Sequence, residues 1–262
     1  MKVLIVGDSC RDVFVYGNIE RISPEAPVPV FVPIANRTES NDGMARNVTN
    51  NVESLEMDVH TITNDNSIIK KRYVDTRSGQ MVLRVDEHDY CKRIDKKVLS
   101  SIKYNKCNMP MNGETKFDVV IISDYCKGFL EEDDIQWICE NNVNVFVDTK
   151  KKLGVWIKNA DYIKINELEY NKNHELLSDK GFEEKLIVTL GSKGCRWNGK
   201  EFPVEPVPVR DVSGAGDTFI AGLVRGYLDT DNIESAIEFA QECTTRVVQK
   251  HGVTTISLGE IT

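Results

Sequence analysis

The 262-residue sequence has no apolar run long enough to cross a membrane. Its start, Met-Lys-Val-Leu-Ile-Val-Gly, is too short for the apolar region of a signal peptide. Positive charge is in deficit, with 33 Lys and Arg against 41 Asp and Glu, a formal net charge of -8. That balance argues against a protein held to nucleic acid by its backbone charge. A small anionic substrate stays compatible, since it needs only a local basic pocket. The seven cysteines are odd in number and scattered, with no Cys-x-x-Cys pair. This excludes a disulfide framework and fits reduced thiols, so a cytoplasmic protein is expected. The four histidines stand apart from one another, which leaves no zinc-ligand spacing. Internal repeats, low-complexity tracts and flexible linkers are also missing.

What is there is an alternation of apolar runs and helical patterns. Val3–Val6, Phe117–Ser123, Val143–Val147, Tyr162–Ile165 and Leu186–Leu190 are short and continuously apolar, as buried parallel strands are. Helical periodicity covers Val48 to Leu55, Leu130–Glu140, 215–228 and about 233–250, and Asp95–Pro110 is helical at first and then irregular. The pattern predicts an α/β fold: a doubly wound, mostly parallel sheet flanked by helices. Asp8, Asp124, Asp148, Asn166 and Gly191 each follow a strand, which marks the carboxyl edge of the sheet as the ligand edge. Cys195–Trp197 and Glu201–Val204 flank Asn198-Gly199, a hairpin signal.

Two early segments lack helices. The proline-rich Arg21–Pro29 predicts extended chain, and Val28, Val30 and Val32 predict an edge strand outside the main sheet. Ile68–Val74 and Gln80–Asp86 flank a Thr-Arg-Ser-Gly turn and predict a hairpin. Together these segments, about 12–35 and 68–88, predict a small β lid on a single domain spanning 1–262.

The stretch Asp211-Val-Ser-Gly-Ala-Gly-Asp-Thr-Phe219 carries the chemistry. Phe219, Ile220, Leu223, Val224 and Tyr227 recur at helical spacing, so the glycines open a helix. A helix start offers free N–H groups and partial positive charge, and glycine lets a phosphate approach them. The acid Asp217 would repel that phosphate as a ligand. It makes sense as a base that takes a proton from a hydroxyl about to attack it. The predicted anion hole is Gly214, Ala215 and Gly216 with the Asp217 amide. The alternative is an ordinary helix start with an acid in its first turn. Gly214-Ala-Gly216 fails as a dinucleotide fingerprint, because Phe219 stands where the third glycine belongs, and no Walker A pattern occurs.

Asp211–Phe219 is similar to the D-x-x-GAGD-x-F signature of the ribokinase-like, or PfkB, carbohydrate kinases. Gly43 and Asn47 resemble that family's first signature, Asn166-Glu-Leu-Glu169 its N-x-x-E motif, and Thr189-Leu-Gly-Ser-Lys-Gly194 its nucleotide motif T-x-G-x-x-G. Gly7-Asp8, Arg21–Pro29, Leu83-Arg-Val-Asp86 and Ser123-Asp-Tyr-Cys-Lys-Gly128 resemble the kinase domain of bacterial heptose-7-phosphate kinases. The resemblance implies ATP-dependent phosphorylation of the anomeric hydroxyl of a sugar phosphate. It implies Asp217 as base and ATP near Lys127, Lys150, Thr189, Gly191, Gly194 and Gln241. Asn166 and Glu169 would organise Mg²⁺ through water, with a helix cap as the alternative. Asp8, Asp12, Gly43 and Asn47 would meet the sugar, and Asp12 could instead cap a turn. Arg72 and Arg84 are the lid cations for its phosphate, among Arg11, Arg21 and Arg46 as other choices, or else exposed strand charges. Lys127 and Lys150 have solvated surface lysines as their alternative.

Departures from the family pattern fall in the first half. Met44 stands for the second glycine and Arg46 for a small residue, and Gln241 replaces an asparagine. Between Thr63 and Lys70 roughly 25–30 residues are missing by comparison with usual element lengths. An appended nucleotidyltransferase domain, which carries the second activity of bifunctional relatives, is not expected. Partners expected are a sugar or sugar phosphate and ATP, with neither nucleic acid nor membrane, and a homodimer formed through the lid. A kinase for fructose, ribose or a nucleoside, or a catalytically weak binding protein, are the competing readings.

Overall fold

The structure is a computed structural model that describes residues 1–65, 68–102, 117–177 and 181–261. Strand β1 (Lys2–Gly7) opens the chain and pairs in parallel with β4 (Asp58–Thr63) and with β7 (Val119–Asp124). The parallel run continues through β8 (Val145–Thr149), β9 (Tyr162–Asn166) and β10 (Leu186–Thr189). A short antiparallel end is added by β11 (Cys195–Trp197) and β12 (Lys200–Phe202). The eight-stranded order is β12-β11-β10-β9-β8-β7-β1-β4.

Alternate residues of these strands feed two cores. Val3, Ile5, Val119, Ile121 and Phe146 face one core, with α1 (Ala45–Ser54), α5 (Ala215–Thr230) and α6 (Ile233–Val247) packed over it. Leu4, Val6, Val120, Ile122, Val145 and Val147 face the other. That face is covered by α3 (Glu132–Asn141), among others, while α2 (Lys96–Ser101) and α4 (Glu167–Leu177) complete the set of helices. Burial on both faces explains why these strands are apolar without alternation. Each fully buried Ile or Leu contributes roughly 1.5–3 kcal/mol.

A second sheet holds β2 (Ser9–Ile22), β3 (Pro29–Met44), β5 (Ile69–Asp75) and β6 (Met81–Glu87), in the order β3-β2-β5-β6. This is the expected lid, but two parts differ from expectation. Residues 9–22 form one long strand running straight out of β1. The proline-rich stretch is not extended throughout: residues 24–28 bend, and the Ser23 N–H donates to the Val28 carbonyl at 2.9 Å, so this stretch is the loop joining β2 to β3. Pro24 and Pro27 cannot donate to a ladder, which favours a loop over a paired strand. Strand β4 carried no earlier expectation, because Asp58-Val-His-Thr-Ile-Thr63 mixes polar and apolar residues as an edge strand does. Five residues, 64–68, separate β4 from β5 in sequence. The Asn198-Gly199 turn has both residues at positive φ, 47° and 72°, as its hairpin requires. The irregular part expected after residue 102 lies outside the described residues.

Candidate active site

The strand ends converge at one edge. Gly214, the residue before α5, is left-handed at φ 79°, a conformation that favours glycine. It turns the chain so that α5 starts facing the ends of β8 and β9. The Ala215 N–H already donates to the Val212 carbonyl at 3.2 Å, so it is not a free member of the expected anion hole. The Gly216 and Asp217 N–H groups, by position, have no acceptor within the helix.

Asp217 is buried, 5% exposed. One carboxylate oxygen accepts from Asn47 Nδ2 at 2.6 Å and the other from the Tyr125 hydroxyl at 2.7 Å. Burial pushes its carboxyl above the usual range, against the opposing pull of these two hydrogen bonds. Burial also pushes the Tyr125 phenol well up, and the Asp217 charge adds to that, so Tyr125 stays a donor. Asn47, expected to meet the sugar, therefore holds the base. Asn51 extends the brace: Thr218 Oγ1 donates to Asn51 Oδ1 at 2.8 Å, tying α1 to α5.

Beside the base lies a charged group at the ends of β8 and β9. Lys164 Nζ bonds Asp148 at 2.7 Å, and Lys150 Nζ lies 3.2 Å from Asp148 and 2.8 Å from Glu169. Burial opposes the Asp148 charge, but the two ammonium groups hold its carboxyl below the usual range. A Cβ on Gly216 would come within 2.9 Å of Lys164 Nζ, so this lysine underlies the glycine turn. Asn166 and Glu169 cap each other reciprocally: the Asn166 N–H donates to Glu169 Oε2 and the Glu169 N–H to Asn166 Oδ1, both at 2.9 Å. The helix-cap alternative thus describes their contacts, while Lys150 links Glu169 to the charged group. Gly191 and Gly194 both have positive φ, and a Cβ on Gly194 would lie 2.0 Å from the Phe202 carbonyl oxygen. Thr189 Oγ1 donates to the Ile165 carbonyl at 3.3 Å. Gln241 donates to the Phe202 carbonyl at 2.5 Å and so braces the β11–β12 hairpin from behind.

The lid supplies the other wall. Asp12 on β2 pairs with Arg72 on β5 at 2.5 Å, and Gly43 on β3 leaves room for the Asp12 carboxylate, which would meet a Cβ at 2.4 Å. Arg84 on β6 bonds both oxygens of Asp86 at 2.6 and 2.7 Å. Both lid arginines therefore already have carboxylate partners. Arg46 lies 3.9 Å from Asp42.

Two expected site residues belong elsewhere. Asp8 is fully buried, and its carboxylate accepts the N–H groups of Tyr125 at 2.6 Å, Lys127 at 3.2 Å and Phe129 at 3.1 Å. It shapes the loop after β7 and does not face the sugar; three backbone donors nearly fill its acceptor sites. Lys127 pairs with Asp89 at 2.6 Å, just past the end of β6. Sequence reasoning named Asp148 only as a strand-end residue of the ligand edge and Tyr125 only within Ser123–Gly128, and it missed Lys164 and Asn51. Lys164 had a visible signal, a lysine inside the apolar strand Tyr-Ile-Lys-Ile-Asn. Tyr125 had its place after a strand, within the Ser123–Gly128 stretch that carries the family resemblance.

A buried carboxylate at a glycine helix start, beside a buried lysine, is an arrangement suited to phosphoryl transfer to an alcohol. Residues 95–259 match the family described as pfkB family carbohydrate kinase. The chain is 30% identical over 305 residues to the bifunctional protein HldE of Helicobacter pylori strain J99, covering 99% of this chain and 65% of that relative. The chain thus spans just under two-thirds of that relative's length, and the matched stretch is longer than the 262 residues here. The fold is similar to ribokinase of Arabidopsis thaliana complexed with ribose and ATP, with a TM-score of 0.71, 13% identity and coverage of 99% and 96%. It is also similar to ribokinase of Thermotoga maritima, with a TM-score of 0.70, 16% identity and coverage of 96% and 94%. The chain belongs to the pfkB family of carbohydrate kinases. Membership of a carbohydrate kinase family implies phosphoryl transfer to a sugar hydroxyl and the use of ATP.

Proposed function

We propose that the protein transfers the γ-phosphoryl group of ATP to the anomeric hydroxyl of a heptose already phosphorylated at its far end. The observation that carries the base assignment is Asp217: buried, raised above the usual carboxylate range, and held from both sides by Asn47 and Tyr125. A carboxyl shifted toward neutrality is a better proton acceptor in the transition state. The attacking hydroxyl oxygen forms a bond to the γ-phosphorus as its proton passes to Asp217, and the bond from that phosphorus to the β,γ-bridging oxygen breaks, so that ADP leaves with the electron pair. The Gly216 and Asp217 amides and the Lys164 ammonium supply positive charge where the transferred oxygens gather. The heptose phosphate is supported by the 30% identical HldE relative and by the lid's basic residues.

Magnesium fits the site as an ion carried on the nucleotide. No group of three or more His, Cys, Asp or Glu able to hold a metal occurs among the described residues. Asn166, Glu169 and Asp148 would reach its water shell, and the ion would neutralise phosphate charge there. A coupled ADP-release assay tests the reading with D-glycero-D-manno-heptose 7-phosphate, the unphosphorylated heptose, fructose, fructose 6-phosphate, ribose and adenosine. Highest kcat/KM on the heptose phosphate is expected, with loss of turnover in EDTA. A clear preference for ribose, fructose or adenosine would overturn the substrate, and ATP binding without turnover on any of them would favour a binding protein.

A further inference from the structure

Tyr125 reaches the base from a loop that two buried carboxylates hold by its backbone. Asp8 accepts the N–H groups of Tyr125, Lys127 and Phe129, and Asp124 accepts the Cys126 N–H at 3.2 Å. An aspartate that accepts from the N–H two residues on closes a turn of its own. Here the turn holds Cys126 left-handed at φ 59°, a conformation uncommon for residues other than glycine. Asp124 itself is fully buried and has no part in the transfer step. Strand register sets it beside Thr149 of β8. The Thr149 hydroxyl donates to Asp124 Oδ2 at 2.5 Å and accepts the Lys151 N–H at 3.0 Å, and the Lys151 ammonium lies 3.5 Å from Asp124 Oδ1. The Lys150 N–H donates to the Asp124 carbonyl at 3.0 Å. Burial pushes the Asp124 carboxyl up to about 6, against the pull of the Thr149 hydroxyl and the Lys151 ammonium. The far half of the loop is held differently: the Cys91 N–H donates to the Lys127 carbonyl and the Ile94 N–H to the Phe129 carbonyl, both at 2.8 Å. The Asp124 turn therefore governs the near half. Tyr125 lies there, with its ring 5.4 Å from Lys150 Nζ and its hydroxyl on Asp217.

We propose that Asp124 and Thr149 are positioning residues for phosphoryl transfer, their hydrogen bond fixing the turn that presents the Tyr125 hydroxyl to Asp217. This rests on the reading of Asp217 as the base. A buried carboxylate keeps its place only with donors around it, and the Thr149 hydroxyl is the shortest of these contacts. Without it the Asp124 carboxylate turns toward Lys151, the Cys126 N–H loses its acceptor, and the left-handed turn relaxes. The phenol then draws back from the base. The same contact ties the loop after β7 to the loop after β8, so Tyr125 and Lys150 keep one spacing although they come from separate strands. Asn47 holds the other oxygen of Asp217 from α1, independently of this turn. Losing the Asp124–Thr149 bond should therefore cost the base one donor and no more than removal of the Tyr125 hydroxyl does.

The test follows kcat and the pH profile of kcat/KM for wild type, Thr149→Val, Thr149→Ser, Tyr125→Phe and the double variant Thr149→Val/Tyr125→Phe. The acceptor is D-glycero-D-manno-heptose 7-phosphate or, if another serves wild type better, the best sugar of the panel above. Valine keeps the shape of threonine without its hydroxyl, and serine keeps the hydroxyl. Thr149→Val should lower kcat by about 3- to 10-fold and move the acid limb to higher pH, as Tyr125→Phe does. Thr149→Ser should stay within about twofold of wild type. In the double variant the limb should lie where Tyr125→Phe alone puts it, because the tie acts through a hydroxyl already gone. Some loss of stability in urea is expected for Thr149→Val whatever its role, so the profile decides. Thr149→Ala carries the same comparison if the valine variant does not fold. An unchanged limb and kcat in a folded hydroxyl-less variant, effects that add in the double variant, or failure of both the valine and alanine variants to fold would each reduce Thr149 to a stability residue and overturn the proposal. An unmoved limb in Tyr125→Phe removes it too, while Asp217 as the base stands or falls by its own asparagine variant.

Discussion

Both oxygens of Asp217 accept a hydrogen bond, one from Asn47 and one from Tyr125. These bonds favour the charged carboxylate, whereas burial disfavours it, and burial wins. Each donor thus sets how basic Asp217 is as well as where it points. Tyr125→Phe removes one of the two. The Asp217 carboxyl should then move further up, since the charged form loses a donor. The acid limb of the pH profile of kcat/KM should shift to higher pH, with kcat down roughly tenfold for one lost bond of that kind. A profile unchanged in position would show that Tyr125 does not act on the base. At this scale the sequence was most legible where geometry is local. Gly214 and Asp217 were readable because a glycine turn and a helix start are neighbours in the chain. Asp8 was misread because a strand-end acid can point into the loop as well as into the cleft. Tyr125 and Lys164 required knowing which strand ends lie side by side.

The element that departs most from its expected form is the lid, and its junction with α1 shows strain. Met44, the residue before α1, has φ 61° and ψ -132°, a conformation that suits glycine and costs other residues about 1–3 kcal/mol. Its side chain is buried with Cys10 and Ile68. The family's glycine at this position has a physical reason, and the methionine trades backbone ease for apolar contact. Two variants separate the terms. Met44→Ala loses the contact and keeps the strain. Met44→Gly loses the same contact and relieves the strain, less about 0.5–1 kcal/mol of added chain entropy. Urea unfolding should therefore find Met44→Gly the more stable of the two by about 1 kcal/mol, contrary to the usual order. An alanine variant as stable as the glycine variant would show that Met44 is unstrained. The lid hairpin of β5 and β6 was legible from its turn. The length of β2 was not, because Asp12 and Arg11 read as ligand residues rather than as one turn of an alternating strand.

In the whole molecule, two apolar layers on one parallel sheet fix the carboxyl edge, and the lid grows from that edge through β2 and β5. This architecture was legible because buried parallel strands are apolar throughout and helices separate them. The strand order was not, since it depends on crossovers. Among the described residues no helix is long and apolar enough to cross a membrane. The lid ends in two edge strands, β3 and β6, and Met81 and Leu83 on β6 are both 54% exposed. An exposed apolar edge favours pairing with a second copy, and we propose a homodimer formed lid to lid. Sedimentation velocity should give a dimer at micromolar concentration and a monomer for Leu83→Lys. A monomeric wild type would remove this proposal without touching the active site.

The central claim is that Asp217 is the base for phosphoryl transfer to a sugar hydroxyl. Steady-state kinetics of Asp217→Asn, with ATP affinity measured by calorimetry on the same protein, tests it most directly. The amide keeps the size of the carboxylate but has one acceptor oxygen in place of two and cannot take the proton. Turnover should fall by at least about 10²–10⁴-fold, as for loss of a general base, while ATP binds within about threefold of wild type. Near-normal turnover by Asp217→Asn would contradict the account.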